Sequence, residues 1–256
     1  MNFTNIPNKV IIDIIKQIDL SKFIGLVTLY KDISYNIIIT GSVGVGKSTV
    51  AQLIYEILKE LYNNVKIYPE YINQTFNNIP IGSLMLDAKV NNLISADTFQ
   101  NFVLDIWEHQ LKNNEFKKNN TINILERLPE DAVTCFTKES YDNGNMSTLA
   151  WNNINHRLQL ITEKYNVPSS MNCEFKLINN NGKLTETIQN IINVICDDIK
   201  NGVRNRLFGL IIDDEKYINR IIERGRLSEL NTDLTIFKHY NEYYTKLYNK
   251  LKLNTL

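Results

Sequence analysis

A glycine-rich segment between an apolar strand and an amphipathic helix constrains the fold of this chain most strongly. The segment reads IIITGSVGVGKSTVAQLI over residues 37–54 and contains the pattern Gly-x-x-x-x-Gly-Lys-Ser. In such a loop the glycines let backbone N–H groups converge on phosphate oxygens, the lysine reaches the outer phosphates, and the serine hydroxyl can ligate Mg²⁺. The following helix adds the positive end of its dipole. We therefore predict an ATP site that uses Mg²⁺ and is formed by Gly41, Ser42, Val43, Gly44, Val45, Gly46, Lys47, Ser48 and Thr49.

Composition argues against several other classes of protein. Lysine and arginine together number 28, aspartate and glutamate also number 28, and the formal net charge is zero. A nucleic-acid polymer is therefore disfavoured as the ligand, because proteins that bind one usually carry a basic excess. The 3 cysteines include no C-x-x-C pair, so we expect neither a disulfide framework nor a zinc site. With no secretory signal and no apolar run long enough to cross a bilayer, we expect an intracellular, cytoplasmic protein that binds no membrane.

Strand-like and helix-like patterns alternate along the chain. Residues 23–30 predict either a strand or a buried segment. We predict a main domain over 34–256, an N-terminal extension over 1–33 that packs on the body, and a surface insertion over 166–204. The alternation favours an α/β fold with a parallel sheet and helices on both faces. Strands are predicted at 35–40, 64–70, 121–127 and 206–213, and helices at 8–18, 47–62, 97–114, 151–164 and from 214 onward.

The charged residues at the ends of the second and third strands are candidates for a ligand site. Glu70 follows the second strand, and Glu126 with Arg127 ends the third. Ligands of open α/β sheets bind at the carboxyl ends of the strands. A carboxylate there can accept a proton from an attacking hydroxyl or approach Mg²⁺, and a guanidinium there can contact phosphate. Taken singly, Glu70 also fits a solvated strand end, and Glu126 with Arg127 also fits a structural ion pair.

An arginine cluster follows the fourth strand and its helix. The sequence RIIERGRLSE places Arg220 and Arg224 one turn apart, with Arg226 beyond Gly225. Guanidiniums grouped around a glycine suit a lid that closes over a transferring phosphoryl group. The alternative is a solvated basic helix face.

Together these segments resemble the deoxynucleoside kinase family, both its cellular members and the herpesvirus-type thymidine kinases. YPEY, TFQNFVLDIWEHQL, LER with LPEDAVTCF, and RIIERGRLSE occur in the order of the family's motifs. The resemblance implies a P-loop kinase fold with an arginine-rich lid, a small-molecule deoxynucleoside as partner, and a homodimer. It also implies a role in nucleotide salvage, and a viral source would place the chain in the host cytoplasm or nucleus.

The same resemblance implies roles for the charged residues. Glu70 would be the general base. Glu126 would meet Mg²⁺ together with Ser48, and Arg127 would contact phosphate or the 5′ oxygen of the acceptor. Lys47 and the lid arginines would stabilise the transferring phosphoryl group.

The resemblance further implies a nucleoside pocket. Gln100 would pair with the edge of the base, Phe136 would stack on its ring, and Glu229 would accept a hydrogen bond from the sugar 3′-hydroxyl. Ala132 would leave room for the methyl and oxygen side of thymine. Val103, at the intervening position of the helix, resembles the members that accept thymidine.

Trp107 would narrow the same pocket. From the roles implied for Ala132 and Val103, the leading prediction is phosphorylation of the 5′-hydroxyl of thymidine to give dTMP. A nucleoside monophosphate kinase of the thymidylate type remains an alternative on the same scaffold. A P-loop ATPase or switch that acts on protein partners is a third.

Overall fold

The computed structural model describes residues 8–30, 32–89, 91, 93–113, 116, 119–225, 227–230 and 234–253. Within these ranges the helices are α1 (Asn8–Ile15), α2 (Ser21–Leu29), α3 (Lys47–Leu61), α4 (Ile81–Lys89), α5 (Ala96–Asn113), α6 (Pro129–Asp131), α7 (Lys138–Asp142), α8 (Thr148–Tyr165), α9 (Leu184–Asn201), α10 (Asp214–Arg224), α11 (Leu227–Leu230) and α12 (Leu234–Leu253). A π-helical segment, Ala132–Thr137, joins α6 to α7. The strands are β1 (Tyr35–Thr40), β2 (Val65–Tyr68), β3 (Thr75–Phe76), β4 (Ile79–Pro80), β5 (Ile122–Glu126), β6 (Glu174–Asn179) and β7 (Asn205–Ile211).

Five of the strands form one parallel sheet in the order β2-β5-β1-β7-β6. Strand β1 lies at the centre and β5 is buried along its whole length, as expected for a sheet covered by helices. Helices flank this sheet, and β3 and β4 form a separate antiparallel pair. The predicted α/β class with a parallel sheet is confirmed.

The parallel arrangement places several chain segments at one edge of the sheet. The carboxyl ends of β2, β5 and β1 are neighbours, because Tyr68 pairs with Leu125 and Ile39 pairs with Glu126. The loop after β1, the segment after β2 and the residues after β5 therefore meet there. The ends of β7 and β6 continue the same edge, since Ile211 pairs with Asn179.

The stretch 166–204 differs from the predicted surface insertion. It supplies β6, which pairs with β7, and α9, whose buried Asp198 accepts hydrogen bonds from Tyr35 of β1 and Arg206 of β7. Isoleucines at helical spacing on α9 are also buried. The stretch is therefore part of the sheet and its helical cover. The extra strand was not recognised because only Phe175 and Ile178 of EFKLIN are buried, a spacing that does not follow the alternation of a strand.

The N-terminal segment is helical. Residues 23–30, predicted as a strand or a buried segment, lie mainly in α2, where Phe23 is fully buried and α2 packs against α9. Helix α1 contacts α3. Within the described ranges, no helix combines the length and apolar character that a membrane span requires.

Gly209 allows the C-terminal helix to approach the sheet. A Cβ atom at this position would lie 2.7 Å from Tyr248 Cε1 and 2.9 Å from Phe175 Cε2, so Tyr248 of α12 rests directly on β7. We expect Gly209→Ala to lower the free energy of unfolding by about 1–3 kcal/mol through overpacking. Denaturant unfolding measures the change.

The matched control is Gly25→Ala in α2, where an added Cβ would meet no atom within 4 Å. That variant is expected to gain about 0.5–1 kcal/mol, since alanine restricts the unfolded chain more than glycine does. Equal stabilities of the two variants would contradict the packing argument.

Candidate active site

The glycine-rich loop joins β1 to α3. Gly46 precedes the first helical residue with φ +93°, and Gly44 has φ +83°, a left-handed conformation that suits glycine. A Cβ at Gly44 would also lie 2.7 Å from the carbonyl oxygen of Tyr217 in α10. The loop is thus curled tightly and held close to the helix that carries the lid arginines.

Lys47, the lysine of the loop, is buried, with only 4% of its surface exposed. Its Nζ donates a hydrogen bond to the Ser42 carbonyl at 2.8 Å. Burial lowers the pKa of Lys47 to about 7, the positive charge of Arg127 acts in the same direction, and the nearby carboxylates oppose both effects. A bound phosphate would supply the negative charge that favours the protonated lysine.

Glu126 and Ser48 form a hydrogen-bonded pair of oxygen-bearing side chains at the end of the loop. Ser48 Oγ donates to Glu126 Oε1 at 2.5 Å, and the backbone N–H of Glu70 donates to Glu126 Oε2 at 3.1 Å. Burial raises the pKa of Glu126, and the negative charge of Glu70 adds to the shift. Among the described residues there is no group of three or more His, Cys, Asp or Glu that could hold a metal ion. A metal here would therefore need further ligands, such as phosphate oxygens or water.

Arg127 is the most constrained residue of the site. It is buried and non-glycine, yet has φ +72°, a left-handed conformation that costs of order 1–3 kcal/mol. Its Nε donates to Glu70 Oε1 at 2.9 Å, and its Nη1 donates to the hydroxyl of Tyr244. The guanidinium carbon lies 5.1 Å from the Phe136 ring centroid and 5.3 Å from that of Tyr244. Nη2 is buried without a hydrogen-bond partner in the described part of the chain.

The predicted lid arginines lie beside the loop. Arg224 forms a two-point ion pair with the buried carboxylate of Glu229, with Nε 3.0 Å from Oε2 and Nη2 2.5 Å from Oε1. Glu229 is predicted to accept a hydrogen bond from a sugar hydroxyl; the partner that the structure gives its carboxylate here is Arg224. Arg220 and Arg224 both line the cavity, and Arg226 lies outside the described residues.

A cavity of about 200 Å³ brings these groups together. Its walls come from the phosphate-binding loop, from the segment after β2, from the lid and from aromatic side chains of α5, the π-helical segment and α12. The lining residues are Val43, Gly44, Gly46, Lys47, Ser48, Thr49, Glu70, Tyr71, Ile72, Met85, Phe99, Phe136, Arg220, Arg224, Glu229, Phe237 and Tyr240.

Gln100 faces a second cavity of about 390 Å³, which shares Phe99 with the first. Its Oε1 atom is buried and has no hydrogen-bond partner among the described residues. Val103 and Trp107 are fully buried on the same helix and line neither of these cavities. The side chain of Ala132 lies outside the described residues.

Sequence reasoning did not assign several residues to the site. Six of them line the cavity: Tyr71, Ile72, Met85, Phe99, Phe237 and Tyr240. Tyr244, which binds Arg127, lies in the helical region predicted from residue 214 onward, and its only further signal is a polar tip within an apolar stripe. Asn180 lies in the stretch predicted as a surface insertion, yet its side chain donates to the Val45 carbonyl at 2.7 Å. No local pattern reveals that contact, because 135 residues separate the two partners.

The sequence model of the deoxynucleoside kinase family matches residues 37–172, just over half of the 256-residue chain. This chain belongs to the deoxynucleoside kinase family. It is accordingly a phosphotransferase with the P-loop kinase fold, and the predicted family and enzyme class are confirmed. The matched region contains the phosphate-binding loop, Glu70, Gln100 and the Glu126–Arg127 pair.

Solved structures with the same fold include deoxyadenosine kinase from M. mycoides. The form with bound dATP gives a TM-score of 0.51 at 20% identity, and the form with bound dCTP gives 0.51 at 22%. Each alignment covers 84% of this chain and 84% of the other. At these identities the likeness shows the fold alone. No curated protein matches this chain.

We expect Tyr244→Phe to lower kcat/KM by about 10–100-fold. It removes the hydroxyl that binds the Arg127 guanidinium and keeps the ring, and a hydrogen bond to a charged group is worth roughly 1.5–3 kcal/mol. Steady-state kinetics of the purified kinase measure the effect.

Tyr248→Phe is the matched control. Tyr248 lies one turn along the same helix, is equally buried, and donates to the Leu210 carbonyl at 3.4 Å, away from Arg127. Similar losses of activity in both variants would show that any buried hydroxyl of this helix matters equally, against the specific role of Tyr244.

Proposed function

We propose that this kinase transfers the γ-phosphoryl group of ATP to the 5′-hydroxyl of a deoxynucleoside, with thymidine as the preferred acceptor. The observation that carries the proposal is the position of Glu70. Its side chain lines the same cavity as Lys47 and is held at 2.9 Å by Arg127. A carboxylate fixed beside the phosphate-binding loop can take the proton of an attacking hydroxyl.

The donor nucleotide is proposed to lie along the loop from Gly41 to Thr49. Lys47 would contact the outer phosphates, and Arg220, Arg224 and Arg226 would stabilise the charge that develops on the transferring group. Opening of the Arg224–Glu229 ion pair would free both side chains for ligand.

Mg²⁺ fits the pair Ser48 and Glu126. Both offer oxygen atoms, which Mg²⁺ prefers, and this ion commonly takes few protein ligands beside phosphate oxygens and water. When bound, it would neutralise part of the phosphate charge. The raised pKa of Glu126 supports this assignment, since a cation nearby would relieve the cost of its buried negative charge.

The acceptor site is proposed between the aromatic residues of the cavity and Gln100. Phe136 and Tyr240 stand at the cavity wall with their rings 4.6 Å apart, so an aromatic base can stack there. The unpaired Oε1 of Gln100 offers an acceptor for an N–H group of a base edge. Arg127 Nη2, also unpaired, would reach the 5′ oxygen.

Thymidine is favoured by the sequence at Ala132 and Val103, which resemble the members that accept this nucleoside. Deoxyadenosine is the second candidate, because similar structures are named deoxyadenosine kinases. The monophosphate kinase alternative is less favoured, since the carboxylate of Glu70 would repel a phosphate acceptor. The homodimer, the intracellular location, the viral source and the division at residue 33 stay predictions.

We expect Glu70→Gln to lower kcat by about 10²–10⁴-fold, the usual contribution of a positioned general base. The amide keeps the size of the side chain and removes its basicity. Single-turnover phosphorylation of a radiolabelled nucleoside measures the chemical step.

Glu108→Gln serves as the control, because Glu108 pairs with the exposed Lys164 outside the cavity. An unchanged kcat with a raised KM in Glu70→Gln would assign Glu70 to binding instead.

We expect thymidine to give the highest kcat/KM in a panel of the four deoxynucleosides and dTMP, and Ala132→Asp to shift the balance toward deoxycytidine. The new carboxylate would accept from the cytosine amino group but would face the O4 acceptor of thymine. A buried unsatisfied acceptor costs roughly 1–3 kcal/mol, so the ratio should change about 5–150-fold.

If the wild-type enzyme prefers deoxyadenosine, that nucleoside replaces thymidine as the proposed acceptor. Turnover of dTMP alone would favour the monophosphate kinase. An unchanged ratio in a folded Ala132→Asp protein would remove Ala132 as the base selector.

A further inference from the structure

The loop between β6 and α9 supports the phosphate-binding loop from outside. Asn180, in this loop, is 5% exposed, and its Nδ2 donates to the Val45 carbonyl at 2.7 Å. Asn180 lies beyond the region 37–172 that matches the family, whereas Val45 lies within it. Asn180 belongs to the stretch 166–204, for which the sequence predicted no role in the site.

The amide group of Asn180 has a defined orientation. The Val45 carbonyl can only accept, so Nδ2 is the end that faces it, and Oδ1 accepts from Thr187 Oγ1 at 3.2 Å. The backbone N–H of Asn180 donates to the Ile211 carbonyl at 2.8 Å, which fixes the main chain beside β7. Asn180 is thus a rigid donor presented by the edge strand and by α9.

The Asn180 amide donates to the carbonyl of the peptide that joins Val45 to Gly46. In a planar trans peptide the C=O and the following N–H point in opposite directions. Because Asn180 binds the Val45 carbonyl, the N–H of Gly46 is directed away from the Asn180 amide. Gly46 lines the active-site cavity and Val45 does not, which agrees with this direction.

Asn180 also packs closely against Gly46. A Cβ on Gly46 would lie only 2.8 Å from Asn180 Nδ2, and Gly46 has φ +93°. The side chain therefore both binds the carbonyl and packs against the residue whose N–H is to be oriented.

We propose that Asn180 is a positioning residue for the donor nucleotide, because it holds the Val45–Gly46 peptide with its N–H facing the phosphates. The proposal rests on the proposed role of the loop as the ATP site. It predicts that Asn180 affects binding of the donor and leaves binding of the nucleoside acceptor unchanged, since the acceptor walls come from other segments.

The test compares Asn180→Leu, which keeps the approximate size of the side chain and removes its donor, with Asn181→Ala. Asn181 is the next residue, and its side chain binds Asp213 instead of the phosphate-binding loop, with Nδ2 2.6 Å from Oδ1. Binding of a fluorescent ATP analogue with Mg²⁺ is measured without acceptor, and KM is then measured for ATP and for the nucleoside.

We expect Asn180→Leu to raise the Kd and KM for ATP about 10–100-fold, the range for losing one hydrogen bond to a charged group, here the bond from the Gly46 N–H to a phosphate. The KM for the nucleoside should stay within about twofold of the wild-type value. Asn181→Ala should keep the wild-type affinity for ATP even where its melting temperature falls. Equal ATP affinity in folded Asn180→Leu and wild type, or an equal rise in both KM values, would overturn the proposal.

Thr187→Val provides a second variant if Asn180→Leu does not fold. It keeps Asn180 and frees its amide to rotate, so the Kd for ATP should rise by a smaller factor, about 2–10-fold, as for the loss of one neutral hydrogen bond. No rise would count against the proposal. A wild-type protein that binds the ATP analogue but phosphorylates no deoxynucleoside would overturn the proposed acceptor and leave the Asn180 test intact.

Discussion

The ion pair between the buried Arg127 and the half-buried Glu70 is the interaction on which the candidate active site depends. The Arg127 charge could not remain buried alone, because removing the partner of a buried charge leaves it uncompensated at a cost of several kcal/mol. The pair joins the ends of two adjacent strands, and Tyr244 ties it to the C-terminal helix. Arg127 forms the pair from a left-handed backbone, which residues other than glycine rarely adopt. The packing around the pair thus maintains a strained residue at the carboxyl end of β5.

The charged groups around this pair suit two ligands together, one that carries negative charge and one that is a cation. Burial lowers the pKa of Lys47 to about 7 and raises the pKa of Glu126, so each group is less readily charged than it would be in water. A nucleotide phosphate would favour protonated Lys47, and Mg²⁺ would favour ionised Glu126. Binding of the two together therefore relieves two desolvation costs, and this couples the site electrostatically to its proposed substrate complex.

Local patterns predicted the part of the fold that carries the phosphate-binding loop. Strand β1 has the predicted bounds, and α3 follows as expected, because the apolar run, the glycines and the helical period all agree there. They failed at β6, where an edge strand with half its residues exposed has little apolar signal. Within the site, strand-end residues such as Glu70 were found because a parallel sheet brings such ends together. Tyr244 and Asn180 were not, since their roles depend on packing between segments distant in sequence.

The order of the sheet explains how a remote segment can support the phosphate-binding loop. Strand β6 pairs with β7, which pairs with β1, so the carboxyl end of β6 lies along the same edge as the loop after β1. A side chain placed just after β6 can then reach across the end of β7 to the outer side of the loop, as Asn180 does. The inner side is left for ligand, and the shape of the loop is set by contacts that a bound nucleotide need not displace. Such preorganisation reduces the ordering that binding would otherwise require.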